Sequence, residues 1–261
     1  MLTEQQITFF NTFGFIILRK VFSDEELAIM DDEFETSLKT IQGERPDNEV
    51  PKHFNWSNLG PETPFLSLLP EDPRICETAE QLFGEHVIAV SSNSNRRVGN
   101  THWHTDQSHP HSYGLKFAAY LQPLNSDNGA FRVIPGSHKQ PFNDKLKHIE
   151  MHGSEITVPY YSCDSAPGDI VIFNFATWHS SFGGSTNRRM CTIDFYKNPE
   201  TPEEVEGTYD QVIVDEKVYA KLRAYGSGFH PHWLANPQNS PRRQRWIDWL
   251  RKYGFVKAEE A

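Results

Sequence analysis

The sequence predicts a mainly β fold, a sandwich or barrel, with α-helices flanking it. Three observations carry that reading. Between residues 86 and 197, six short segments rich in β-branched and aromatic residues follow one another, separated by Gly, Pro, Asn and Asp. Helix-start signals fall before and after this region. At 261 residues the chain is long enough to bury one large core, so a single domain spanning 1–261 is expected.

Residues 1–85 read as mostly helical. Thr3 with Gln6, and Ser23 with Glu26, each fit a capping box, in which side chains satisfy the open N–H groups of a helix start. The second predicts a helix from Asp24 to Thr40, and "GFIIL" (14–18) between them predicts a short strand. Residues 42–64 are polar and rich in Pro and Gly, with Phe54 and Trp56 inside. They read as a lid-like loop able to close over a site and exclude water. Asp72 and Pro73 open another helix and Gly84 closes it.

The strands expected in the 86–197 core are "HVIAVSSN", "LKFAAYLQ", "AFRVI", "EITVPYY", "DIVIFNF" and "RMCTIDFY". Residues 198–261 read as a helical extension. Ser240 and Pro241 start a helix whose Trp246, Trp249, Leu250 and Tyr253 recur at i, i+3, i+4 and i+7, a stripe that packs on the β core. There is no internal repeat and no low-complexity segment.

Composition narrows the function classes. Lys plus Arg is 25 against 35 Asp plus Glu, a net charge of −10, and no segment concentrates basic residues. Nucleic acid and anionic membranes are therefore not expected partners, and a small-molecule substrate is. Cys76, Cys163 and Cys191 are odd in number and far apart, which argues against a disulfide framework and for a reducing compartment. No secretion-type N-terminus, no apolar run of about 18 residues and no receptor-read C-terminal address is present, so the expected location is cytoplasmic.

"THWHTDQSHPHSYG" (101–114) holds four of the twelve histidines. In extended backbone, residues two apart point the same way, so His104 and Asp106 can offer an imidazole nitrogen and a carboxylate oxygen to one ion; His102 has the same parity. The best third ligand is His179, just after the strand-like "DIVIFNF". Two imidazoles and one carboxylate leave three positions open, the arrangement of non-heme Fe(II) oxygenases. An isolated His-x-Asp carries little weight, because a surface hydrogen-bonded pair reads the same way. Arg189, ten residues after His179 at the head of another strand, adds to it. A buried guanidinium there would take the distal carboxylate of 2-oxoglutarate with two parallel hydrogen bonds.

Several blocks in order, "FFNTFGFIILRKVFSDEEL", "THWHTDQS", "DNGAFRVIPGSHK", "APGDIVIFNFATWHSS" and "RRMCTIDFY", together spanning about residues 5–197, resemble the phytanoyl-CoA dioxygenase family of Fe(II)/2-oxoglutarate oxygenases. The resemblance implies a double-stranded β-helix, a cupin-like jelly roll with flanking helices. It implies an Fe(II)- and 2-oxoglutarate-dependent dioxygenase that consumes O2 and releases succinate and CO2. His104, Asp106 and His179 would be the iron ligands and catalytic centre, Arg189 the co-substrate anchor and Thr101 a hydroxyl contact to 2-oxoglutarate. A one-residue slip of the strand would substitute Arg188 for Arg189; the resemblance favours Arg189, whose spacing to Tyr196 fits the family better. Halogenating relatives carry a small residue where this chain has Asp106, so hydroxylation of a small organic metabolite is the expected outcome, with Gln107 and Tyr113 near the substrate. The alternative class is a metal-binding cupin-type isomerase or binding protein, which needs the three ligands but no arginine.

The remaining marked residues read as structural. Pro135-Gly136-Ser137-His138 and Asn128-Gly129 fit turns. Trp103 and Trp178 each precede a proposed ligand and so face the core. His109, His111, His230 and His232 read as loop or packing residues, with His109 and His111 able to line a site mouth.

Overall fold

A six-stranded and a four-stranded antiparallel sheet build the β core. The computed structural model describes residues 1–43, 53–84, 87–148, 158–183, 187–219, 229–237 and 240–256. In chain order the strands are β1 (Phe15–Leu18), β2 (His53–Ser57), β3 (Val87–Arg97), β4 (Thr101–His104), β5 (Gly114–Tyr120), β6 (Phe131–Val133), β7 (Tyr161–Cys163), β8 (Ile170–Asn174), β9 (His179–Ser181) and β10 (Arg188–Lys197). The large sheet runs β1-β8-β5-β10-β3-β2 and the small one β4-β9-β6-β7. Ala118, Tyr120, Phe131, Val133, Val171 and Phe173 pack between them.

The helices start where side chains satisfy their first N–H groups. Helix α1 (Glu4–Phe13) has the Thr3/Gln6 capping box and α2 (Asp24–Gln42) the Ser23/Glu26 box, as the sequence predicts. Helix α3 (Pro73–Phe83) is capped by Asp72 and ends at Gly84. Gly14 closes α1 at φ 82°, where its N–H bonds Phe10 O at 2.7 Å. A Cβ there would lie 2.5 Å from Thr177 Oγ1, so glycine is required both for the turn and for close approach to the segment that delivers His179.

Helix α4 (Phe142–Lys145) is one turn. The tail adds α5 (Pro202–Tyr219), α6 (Pro231–Ala235) and α7 (Pro241–Lys252). On α7, Trp246 and Leu250 are fully buried and the Trp246 indole donates to Val87 O at 2.8 Å. One apolar cluster joins α2 (Met30, Phe34), α3 (Ile75, Ala79), α7 and the outer face of β10 (Ile193, Phe195). The helices therefore cover one face of the large sheet, and its other face is left to the cavity between the sheets.

Two expectations are corrected. Residues 53–57 of the stretch read as a lid-like loop form an edge strand, β2, paired along β3 from His53↔Arg97 to Ser57↔Asn93. Phe54 and Trp56 alternate outward into the core, where the Trp56 indole bonds Ser37 Oγ at 2.9 Å; they do not cover the site. Residues 44–52 of that stretch lie outside the described residues. Strand β3 also continues past Asn93 to Arg97. The strand expected over 155–161 begins outside the described residues, and β7 is observed from Tyr161.

Candidate metal centre and active site

The register of the small sheet brings two histidines together. His104 on β4 and His179 on β9 are directly paired across antiparallel strands, so both imidazoles project to the same side. Asp106 lies two residues beyond His104, where its N–H bonds Phe175 O at 2.8 Å. Donor atoms of His104, Asp106 and His179 all lie within 4.8 Å of one another. Asp106 Oδ1 is 3.6 Å from Nε2 of each histidine.

Each imidazole is held in one tautomer. His104 Nδ1–H donates to His102 O at 2.7 Å and His179 Nδ1–H to Thr177 O at 2.9 Å, which leaves both Nε2 lone pairs for the centre. His102 thus supplies a carbonyl, and its exposed ring is not one of the clustered donors. Burial holds His179 neutral by lowering its pKa to about 3. Burial opposes ionisation of Asp106, but the Lys116 ammonium, 2.7 Å from Oδ2, overrides it and keeps the carboxyl well below the usual range. Two imidazoles and a carboxylate form a donor set that fits a divalent transition metal with positions to spare.

Turns expected to be structural position these donors. In the Pro135–His138 turn, with Gly136 at φ 78°, the Ser137 hydroxyl accepts the Trp178 N–H at 2.9 Å. Asn143 Nδ2 bonds Ser137 O and Ala176 O. Trp103 and Trp178 are buried with Ile134 behind the ligand face. On the other side, the Gln211 carboxamide of α5 donates to Asp106 O at 2.9 Å and accepts from Ser108 N at 2.6 Å.

The triad opens into a cavity between the two sheets. Strand parity builds its walls: Arg188, Met190, Thr192 and Asp194 from β10, Lys116, Ala118 and Tyr120 from β5, Asn93, Asn95 and Arg97 from β3, and His53 and Asn55 from β2. Thr101 and Ser181, paired across β4 and β9, also line it, and Thr101 Oγ1 accepts the Ser181 N–H at 2.6 Å. Arg188 is buried, bonds Gly129 O at 3.1 Å, and has no acidic partner among the described residues.

Three expected site residues fall elsewhere. Arg189 faces the opposite side of β10, where its guanidinium pairs with Asp31 and Glu35 of α2 at 2.7 Å each. The odd-numbered residues of this part of β10 belong to the helix-covered face, so of the two neighbours it is Arg188 that enters the cavity. Gln107 does not line it, since its side chain bonds Ser112 O. Tyr113 does not either, being exposed beside Lys197. His109 packs against Gly207, and His230 caps α6, so both are structural.

The family model described as phytanoyl-CoA dioxygenase (PhyH) matches residues 10–191. The chain belongs to this family. Ectoine dioxygenase of Bordetella bronchiseptica is 28% identical over 158 residues, which cover 53% of this chain and 50% of the relative. The chain thus spans about half the length of the ectoine dioxygenases it matches. Dioxygenase ALT11 of Alternaria alternata is 25% identical over 239 residues, 80% of this chain and 75% of that one. Among solved structures, HygX from Streptomyces hygroscopicus, with nickel and 2-oxoglutarate bound, superposes at a TM-score of 0.63 with 19% identity, covering 75% of this chain and 87% of HygX. EctD from S. alaskensis, with 2-oxoglutarate and 5-hydroxyectoine, gives 0.60 at 21% identity, covering 78% and 80%. These structures share the fold, the double-stranded β-helix expected for a PhyH-family chain. Among the described residues, no helix is long and apolar enough to cross a membrane.

Proposed function

We propose that this chain is an Fe(II)- and 2-oxoglutarate-dependent dioxygenase that oxidises, by hydroxylation, a small polar metabolite. One observation carries the reading: a two-histidine, one-carboxylate cluster and a buried arginine that has no acidic partner among the described residues share one cavity. His104 Nε2, His179 Nε2 and Asp106 Oδ1 would hold the iron. Arg188 would anchor the distal carboxylate of the co-substrate, because a buried guanidinium calls for an anion and offers it two parallel N–H donors. Ser181 and Thr101, on the facing small sheet and lining the same cavity, would flank that carboxylate.

When bound, iron with 2-oxoglutarate and dioxygen supplies the oxidising power and releases succinate and CO2. The chain's own residues do the positioning. The Nδ1–H bonds to the His102 and Thr177 carbonyls keep both imidazoles aimed at the centre. Phe131 and Phe173, with ring centroids 5.0 and 4.7 Å from His179, exclude water on one side. Asn55, Asn93, Asn95 and Thr192 give the opposite wall hydrogen-bonding groups, which favours a polar substrate. Asp106 keeps the third protein ligand in place and so favours hydroxylation. A cupin-type protein that ignores 2-oxoglutarate would have no use for a buried guanidinium in this cavity.

The test is an anaerobic titration of the Fe(II)-loaded chain with 2-oxoglutarate. A saturable visible charge-transfer band is expected. Iron binding without that band would overturn the proposal in favour of the cupin-type alternative.

A further inference from the structure

A lysine stands where the large sheet meets the donor cluster. Strand β5, "GLKFAAY", is apolar apart from Lys116, whose side chain is only 15% exposed. A lysine is seldom placed that deep without a partner. Its Nζ lies 2.7 Å from Asp106 Oδ2, 3.9 Å from Asp194 Oδ1 and 5.5 Å from the centre of the Phe175 ring. Lys116 and Asp194 are cross-strand neighbours in the β5/β10 register. Asp194 is itself oriented, since Ser91 Oγ donates to its Oδ2 at 2.8 Å. The ammonium is thus held between two carboxylates and over an aromatic face.

The two oxygens of Asp106 have different surroundings. Oδ1 faces the Nε2 atoms of both histidines, and Oδ2 faces the ammonium. The backbone of Asp106 is pinned at both ends, its N–H to Phe175 O and its carbonyl to Gln211, so the carboxylate has little freedom beyond rotation about its own side-chain bonds. A carboxylate with both oxygens available can grip a cation with both. That would take up one of the three positions that two imidazoles and one carboxylate oxygen leave open.

We propose that Lys116 is a positioning residue that occupies Oδ2 of Asp106 and so restricts Asp106 to a single metal-donor oxygen. This rests on the metal-centre reading above. Asp194 and Ser91 extend the support one strand further, fixing where the ammonium sits. Lys116 is poorly suited to recruiting an anionic substrate, because two carboxylates already surround its one positive charge.

Cobalt(II), added alone to the full chain, reports the donor set and its geometry through its visible d–d absorption. Wild type and Lys116→Arg, which keeps an N–H donor on Oδ2, should give the same band. Lys116→Met should still bind cobalt but with a band altered in position and intensity, as Oδ2 displaces solvent from one of the three open positions. With iron, kcat of Lys116→Met should drop by about 10–100-fold with KM for 2-oxoglutarate little changed, and Lys116→Arg should recover most of it. An unaltered cobalt band in Lys116→Met would overturn the proposal. So would loss of cobalt binding by a folded Lys116→Met, which would make the lysine a prop for the loop and not a control on the carboxylate. Should that variant fail to fold, Lys116→Leu, which likewise offers Oδ2 no donor, is read in the same way. A wild-type chain that binds no cobalt would instead overturn the metal centre itself.

Discussion

Arg188 and Arg189 are consecutive in β10 and stand on opposite faces of the sheet, one buried in the cavity beside Gly129 and the other paired with Asp31 and Glu35 of α2. Their substitutions should therefore separate cleanly. Arg188→Met should weaken 2-oxoglutarate binding by about 10–100-fold, the equivalent of one or two charge-assisted hydrogen bonds of about 1.5–3 kcal/mol. Arg189→Ala should leave that affinity unchanged and cost about 0–1 kcal/mol of stability, as expected for partly exposed ion pairs. Isothermal titration with 2-oxoglutarate and urea unfolding of both variants check this.

His179 is buried against Phe131 and Phe173 and paired directly with His104. Replacing it with alanine should abolish detectable Fe(II) binding while far-ultraviolet circular dichroism stays unchanged. A His179→Ala chain that retains iron would remove β9 from the metal site.

The metal-free protein should lose stability on acidification. Burial lowers His53 from 6.5 to about 4, with Arg97 adding to the effect, and His179 falls from 6.5 to about 3. Below pH 6.5 the unfolded chain takes up protons that the folded chain refuses. Unfolding free energy should then decline from pH 6.5 down to about 4 for His53, and further for His179. His53→Gln should flatten the upper part of that curve by on the order of 2 kcal/mol. Urea midpoints between pH 7 and 4 give the comparison.

Trp246 joins the tail to the core through its buried ring and its hydrogen bond to Val87 O. Trp246→Ala should cost about 3–5 kcal/mol. Denaturant unfolding measures it, and a loss below 1 kcal/mol would mean that α7 contributes little to the folded core.

The parts legible in the sequence are those set by local chemistry. Thr3, Ser23 and Asp72 announce helix starts because a cap needs only its own turn, and His-x-Asp shares a face because extended backbone alternates. What escaped depends on contacts distant in sequence. Whether Arg188 or Arg189 faces inward is decided by the pairing of β10 with β3 and by the acids of α2, some 150 residues away. Asn93, Asn95 and Arg97 were passed over because a strand lining a cavity breaks the rule that buried positions are apolar. A signal did exist, as Asn-x-Asn-x-Arg alternates with period two. His-Phe-Asn-Trp-Ser at 53–57 carries the same period inside a stretch whose composition reads as loop. Lys116 is the plainest hint missed: one charge in an otherwise apolar strand marks a partner waiting on the other side.

The carboxamide of Gln211 holds Asp106 O and Ser108 N together, yet α5 begins eleven residues after the last residue matched to the family at 191. The working unit of this protein is therefore larger than its homology unit. A chain cut after β10 would retain His104, Asp106, His179 and Arg188 and would still be recognised by its signature. It would lack the only side-chain tether from the tail that steadies the aspartate's backbone among the described residues. Sequence matching would score such a fragment as intact, and metal affinity would not.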